Sequence, residues 1–374
     1  MICGPQRAVA AEWSITPTFS TTMDYDSNRF LVTNGRDSGS GTISADLRFA
    51  RAMEDSVLTV EPAYTRRRFT DGRLGNGDDR SIGTGWLYKG ERSTLQANAS
   101  YFDQSTLTTE LLETGITSVN THRRQSQAAL NWNWAQTELR HLVTQMSYLD
   151  THYYGPGEGL LPGYRYTSGS IGEQFNLSEK ASLTTSVFGD ELSSHGAPPS
   201  HEYGVQADLI YAFNERTRFD GTVGESSRLL NGDRSHGTNA SLSLVHDSAL
   251  NNVTLSYVRS LTPYGIGYLV ERQQTSLTDI YHLSPFVDAS IIVMRIDNSK
   301  NAVLLGLDRP KITSIATAVT WRPTETVSLG LQLSVIQAPA VELQGARIVE
   351  TQTLRDWHAG LRASWAPLPT SVSR

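Results

Sequence analysis

The chain has 374 residues, a net charge of −6 and a mildly polar mean hydropathy of −0.33. No block of like charge stands out, so the footprint of a nucleic-acid partner is missing. No apolar run approaches the ~20 residues of a membrane helix, Ile291-Ile292-Val293-Met294 being typical of the longest, and the single cysteine, Cys3, leaves neither a disulfide nor a Cys-rich metal site. A membrane β-barrel stays open, because strands that alternate lipid-facing and lumen-facing side chains look soluble on average.

In chain order, residues 1–10 come first. Ala8-Val9-Ala10 is an A-x-A cleavage pattern, which reads as the tail of a signal peptide, with the mature chain starting near Ala11. Beyond it, apolar/polar alternation dominates. Trp13, Ile15, Pro17 and Phe19 alternate with Ser and Thr; Ile43, Ala45, Leu47 and Phe49 follow the same rule. So do Tyr203 to Tyr211, Val327 to Val335 and Trp357 to Trp365. Period two over such lengths predicts strands, and no segment shows a comparable helical period.

Two kinds of connection alternate between these strands. Short polar turns lie at Arg51–Ser56, Lys89–Ser93, Ala135–Thr137, Asn176–Lys180, Asn214–Thr217, Asp247–Asn252 and Arg322–Thr326, with an eighth near Ser284-Pro285. Longer Gly-, Asp-, Asn- and Ser-rich loops are expected at 27–40, 70–80, 106–122, 151–163, 193–200, 229–237, 263–270, 297–309 and 338–350. Short turns at one end and long loops at the other is the asymmetry of outer-membrane barrels. Eight turns flanked by two strands each, plus one strand at either end, predict an all-β, single-domain, transmembrane antiparallel up-and-down barrel. It spans residues 11–374 and has about 18 strands, within a range of 16–20.

Aromatics recur where strands enter the short turns. Trp13, Phe49, Trp86, Trp132, Trp134, Tyr211, Phe213, Trp321 and Trp365 are the expected girdle at the lipid headgroups. The alternate face is polar. Asp46, Arg48, Glu61, Arg67, Gln96, Asn98, Asn131, Asn133, His141, Gln206, Asp208, Arg218, Asp220 and Arg362 are the candidates for lining a lumen, with Gln127, Gln145, Glu202, Arg228 and Asn239 on the same face. Such groups either face water or pair across strands and fill the barrel.

No nucleotide cradle, nucleophile elbow or zinc helix occurs. Gly155-Pro-Gly157-Glu-Gly159 lies in a loop, and Ser235-His236 would point to opposite faces of a strand. The reading is therefore non-enzymatic and calls for no cofactor or metal. Closure of the barrel requires the first strand to pair with the last. Trp13 and Trp365 are expected side by side at one girdle, within ~10 Å.

The last strand, His358-Ala-Gly360-Leu-Arg-Ala363-Ser-Trp365, resembles the C-terminal signal read by bacterial barrel-assembly machinery, here through His358, Gly360 and Trp365. It departs from the usual pattern because residues 366–374 follow the aromatic. The segment Asp24-Tyr25-Asp26-Ser27-Asn28, with Trp321-Arg-Pro-Thr-Glu-Thr-Val-Ser-Leu-Gly-Leu late in the chain, resembles β-barrel porins that accompany exopolysaccharide and exosortase gene clusters in proteobacteria. That resemblance implies a bacterial outer-membrane location and a conduit for exopolysaccharide or another hydrophilic solute. The implied partners are outer-membrane lipid, the assembly machinery and periplasmic export components. The alternative is a plugged scaffold anchoring an envelope assembly. The resemblance carries over no catalytic or ligand residues.

Overall fold

A computed structural model describes residues 12–29, 31, 35–71, 76–106, 121–155, 161–195, 197–230, 232–263, 267–298, 311–344 and 347–373. Residues 1–10, expected from the sequence to be the tail of a signal peptide, lie outside them. The strands are β1 (Glu12–Asp26), β2 (Ser38–Ala52), β3 (Ser56–Phe69), β4 (Gly77–Lys89), β5 (Ser93–Ser105), β6 (His122–Ala135), β7 (Arg140–Tyr154), β8 (Tyr164–Ser178), β9 (Ala181–Ser194), β10 (Ala197–Asn214), β11 (Thr217–Leu230), β12 (Asp233–Asp247), β13 (Asn251–Pro263), β14 (Leu269–Ser284), β15 (Val287–Asn298), β16 (Lys311–Trp321), β17 (Val327–Gln344), β18 (Arg347–Trp365) and β19 (Thr370–Ser373). From β1 to β18 every strand pairs antiparallel with its sequence neighbours, and β1 pairs also with β18 and β19. The sheet is thus a closed barrel of eighteen staves. No helix among the described residues is long and apolar enough to cross a membrane; crossing is left to the strands.

The last stave is made of two pieces. β18 covers the upper part of β1, from Phe19↔Trp365 to Asp26↔His358, and β19 covers its lower part, from Glu12↔Ser373 to Ile15↔Thr370. The first strand pairs with the last as closure requires, but Trp13 and Trp365 do not stand side by side as expected. Trp365 stands opposite Phe19, with the rings stacked at 5.7 Å, and Trp13 stands opposite Val372. β1 starts seven residues below the level of Trp365, and Thr370–Ser373 supply backbone partners for Glu12–Ile15.

All eight short turns form, including the one at Pro285–Phe286. Three of the expected loops shrink. β9 and β10 are separated by residues 195–196 alone, β11 and β12 by 231–232, and β17 and β18 by 345–346. Polar strand ends that rise above the bilayer carry loop-like composition while remaining hydrogen-bonded in the ladder.

Directly opposed residues share a face, so the registers assign every side chain. The outer face carries Met23, Ile43, Leu47, Ile82, Ile171, Val187, Val223, Leu255, Leu331 and Leu361, all left exposed by the protein. All nine expected girdle aromatics lie on this face, and Trp132/Trp134 and Tyr211/Phe213 form ring pairs at 6.2 and 5.0 Å. Arg51 stacks over the Trp13 ring at 5.2 Å, a cation–π contact suited to the headgroup level. A second set of outward rings, Tyr25, Tyr64, Tyr101, Tyr148 and Tyr203, sits toward the loop end and completes the two-girdle pattern.

Leu331 is outward and 45% exposed, while Gln332 faces the lumen. Leu331→Arg is expected to destabilise the barrel by ~2–4 kcal/mol, the cost of a cation at the midplane, and Gln332→Arg by much less; equal shifts in a urea titration would contradict the facing. For topology, a cysteine at Arg36 should react with a membrane-impermeant thiol reagent on intact cells. One at Glu215, in the opposite turn, should stay unlabelled.

Candidate functional site

The lumen is the candidate site, and alternation builds it. All fourteen predicted lining residues stand on the inner face, as do Gln127, Gln145, Glu202, Arg228 and Asn239. Some are brought together as pairs. Arg48 meets Glu61 at 3.2 Å, Arg218 meets Asp220 at 2.8 Å, and Arg67 reaches Thr42 at 3.1 Å and Asp79 at 3.9 Å. His141 links Asn133 (3.0 Å) to Asn176 (3.3 Å). Gln96 and Asn131 are opposed in register, and Gln206 and Asp208 follow one another on β10. Arg362 shares the inner face with Asp46 but makes no ion pair with it among the described residues. The Arg48 and Glu61 side chains remain 61% and 53% exposed, and Arg218 59% exposed. Inward side chains with that exposure look onto open space, so the half of the barrel near the short turns encloses room for water.

At the loop end the lumen is filled by two segments. The first follows β1. Leu31, with φ +48°, is fully buried against Ile296, Ile312, Ala338 and Leu354, all on the inner face of β15–β18. The Asp-Tyr-Asp-Ser-Asn segment fastens it. Asn28 N–H (2.7 Å) and Ser27 Oγ (3.2 Å) donate to Asp356 Oδ1, and Trp357 N–H donates to Ser27 Oγ at 2.7 Å. Asp24 meets His358 Nε2 at 3.2 Å, and Asp26 meets Arg29 at 3.4 Å, with the Arg29 guanidinium 5.0 Å from the Phe69 ring. A Cβ at Gly360 would come 2.7 Å from Asp24 Oδ1. The glycine of the terminal-strand motif therefore leaves room for the Asp24–His358 pair.

The second segment is the end of the β13–β14 hairpin. The β12–β13 ladder stops at Ala240↔Arg259, and the β14–β15 ladder stops at Arg272↔Asn298. Beyond these points, Leu261–Pro263 and Leu269–Glu271 pair only with each other among the described residues. They fold across the lumen, where Leu261 and Leu269 pack with Tyr153, Leu161, Tyr164 and Leu192, and Pro263 helps enclose a cavity against Asn98, Gln127, Ser147 and Tyr166. A buried latch holds the hairpin. Arg228, 4% exposed, reaches Glu202 at 3.0 Å, Asn239 at 2.7 Å and Glu271 at 3.1 Å, and Arg259 meets Glu271 at 3.0 Å. The guanidinium lies over Gly237, where any Cβ would come within 2.0 Å of it. Buried charges persist only when paired and hydrogen-bonded, and here both conditions are met.

Sequence reasoning placed Glu202 and Arg228 on the inner face but missed their latch role, along with Leu31, Glu271 and Asp356. The signal available was the Asp-Tyr-Asp-Ser-Asn cluster, an unusual density of acceptors at the end of a strand.

A closed antiparallel barrel with an apolar girdled outer face and a polar, partly open interior defines the class: an outer-membrane β-barrel of channel or transporter type. Among solved structures, the chain is similar to OccAB3 of Acinetobacter baumannii (TM-score 0.51, 8% identity, covering 96% of this chain and 99% of that one). It is similar also to OccK5 (OpdH) of Pseudomonas aeruginosa (0.50, 7%, 95% and 98%) and to the FrpB iron transporter of Neisseria meningitidis (0.50, 10%, 97% and 83%). At such identities the likeness is one of fold. No family model matches the chain, and no curated protein does.

Arg228→Ala should cost about 3–5 kcal/mol, because Glu202 would keep a buried charge without its cationic partner. The loss should appear as a lower temperature for disappearance of the compact, heat-modifiable band. The same substitution at the exposed Arg218 should move that temperature little.

Proposed function

We propose that the barrel is a passive conduit for a hydrophilic solute, with exopolysaccharide, implied by the sequence resemblance, as the candidate cargo. The observation that carries this reading is the exposure of inward Arg48, Glu61 and Arg218 within a closed wall. A polar lining in contact with water lets a hydrated solute pass without stripping its hydrogen bonds. A transport role also accords with one structural neighbour, FrpB, being an iron transporter. Catalysis has no part in this reading. In the same proposal the terminal strand, through His358, Gly360 and Trp365, engages the barrel-assembly machinery, and periplasmic export components meet the short-turn end.

The second reading, a plugged scaffold anchoring an envelope assembly, is favoured by the two segments that fill the loop end, around Leu31 and around Leu261 and Leu269. Conductance separates the two. The purified full chain in a planar bilayer should give a steady, ohmic single-channel current. Absence of current from protein that is folded and inserted would favour the scaffold.

A further inference from the structure

The charges of the lumen are segregated. On β1–β4 the inner face carries Asp24, Asp46, Arg48, Glu61, Arg67 and Lys89, and on β9–β11 it carries Asp190, Glu202, Asp208, Arg218, Asp220 and Arg228. Between these sectors, on β5–β8, the inner face carries amides and hydroxyls. Its one formal charge among the described residues is Arg123, which is buried near the loop end.

Within this neutral sector five amides are exposed to the lumen: Gln96, Asn98, Gln127, Asn131 and Gln145. None of them hydrogen-bonds to a protein group among the described residues, whereas Asn133, Asn176 and Asn239 nearby are all engaged. The registers arrange them. Gln96, Asn131, Gln145 and Ser170 stand directly opposite one another on β5, β6, β7 and β8, a row with ~4.8 Å between strands. The next row toward the loop end holds Asn98, Ala129, Ser147 and Ser168, and the one beyond it Ser100, Gln127, Leu149 and Tyr166. Above this wall Pro263 of the in-folded hairpin closes a cavity of about 400 Å³.

We infer that the β5–β8 wall is a binding track for a neutral, polyhydroxylated solute of the carbohydrate class. Each amide offers both donors and an acceptor, which is what hydroxyl groups require and what water supplies elsewhere. Leu149, Ala129, Pro263 and the Tyr166 ring supply apolar surface for the C–H faces of a sugar ring. An anionic or cationic chain would meet no counter-charge on this wall and would gain nothing over water. The inference rests on the conduit reading and narrows its cargo to uncharged chains.

The test uses the full-length barrel in detergent, with maltohexaose as the neutral probe and an oligogalacturonate of equal length as the anionic one. Isothermal titration should show binding of maltohexaose and at least tenfold weaker binding of the oligogalacturonate. Asn131→Ala/Gln145→Ala should weaken maltohexaose binding at least tenfold; if that variant fails to give the heat-modifiable band, Gln96→Ala serves in its place. Equal affinity in wild type and variant, tighter binding of the anionic probe, or no binding of maltohexaose overturns the track. Because binding is read without current, a barrel that binds maltohexaose but does not conduct keeps the track and loses the conduit. One that conducts but does not bind loses the track alone.

Discussion

In hydrocarbon there is no water to satisfy an unpaired strand edge, and each orphaned backbone group costs several kcal/mol. Closure of the sheet is therefore the condition on which everything else here depends. It explains why the last stave is built from two pieces. β18 leaves the seam at Trp365 while Glu12–Ile15 of β1 still lack partners, and β19 returns to cover them. Residues 366–369 bridge the two pieces without joining the ladder. What looked in the sequence like a tail trailing past a terminal signal extends the ladder of the first strand, with no second ladder partner among the described residues.

Once the sheet is closed, alternation decides the rest. A shift of one residue would exchange lipid-facing for lumen-facing side chains along a whole strand, so each register is fixed by both faces at once. The outer face demands Leu, Ile, Val and rings at the two interfaces. The inner face is free to carry charges, amides and glycines. That freedom is used unevenly, with opposed charges near the first strands and around β9–β11 and uncharged amides between.

Strands, short turns and facing were legible because they are local and periodic. Leu331 and Gln332 differ in environment for a reason visible in five neighbouring residues. The loop-end architecture was not legible, again for a physical reason. The end of the β13–β14 hairpin reads in sequence much like a wall hairpin, and nothing local reveals that Ser260–Pro263 have no ladder with β12. Their place is set by Arg228, Glu202 and the apolar cluster around Tyr153 and Leu192, which are distant in sequence. The loops expected at 193–200, 229–237 and 338–350 were misjudged because composition alone does not separate a polar strand end from a connection. Among the lumen candidates, facing could be read from the sequence; which groups pair and which stay free needed the registers.

The parting of β12 from β13 also marks a waterline. Backbone groups above Ala240↔Arg259 have lost their ladder, so that level has to lie outside the hydrocarbon. The outward side chains agree: Leu244, Leu242 and Ala240 give way to Thr238, His236 and Arg234, and on β11 Val223 gives way to Glu225. Three apolar positions spaced two residues apart cover roughly 13 Å along a strand, against a band of about 25 Å for a typical outer-membrane barrel. On β1 the outward series from Trp13 to Tyr25 is apolar or aromatic except at Thr21. A barrel so unequal in belt height meets the bilayer asymmetrically. Lipid along β11–β13 has to thin, or the barrel axis has to tilt toward that side, and either response gives the molecule a preferred orientation among its neighbours in the plane of the membrane.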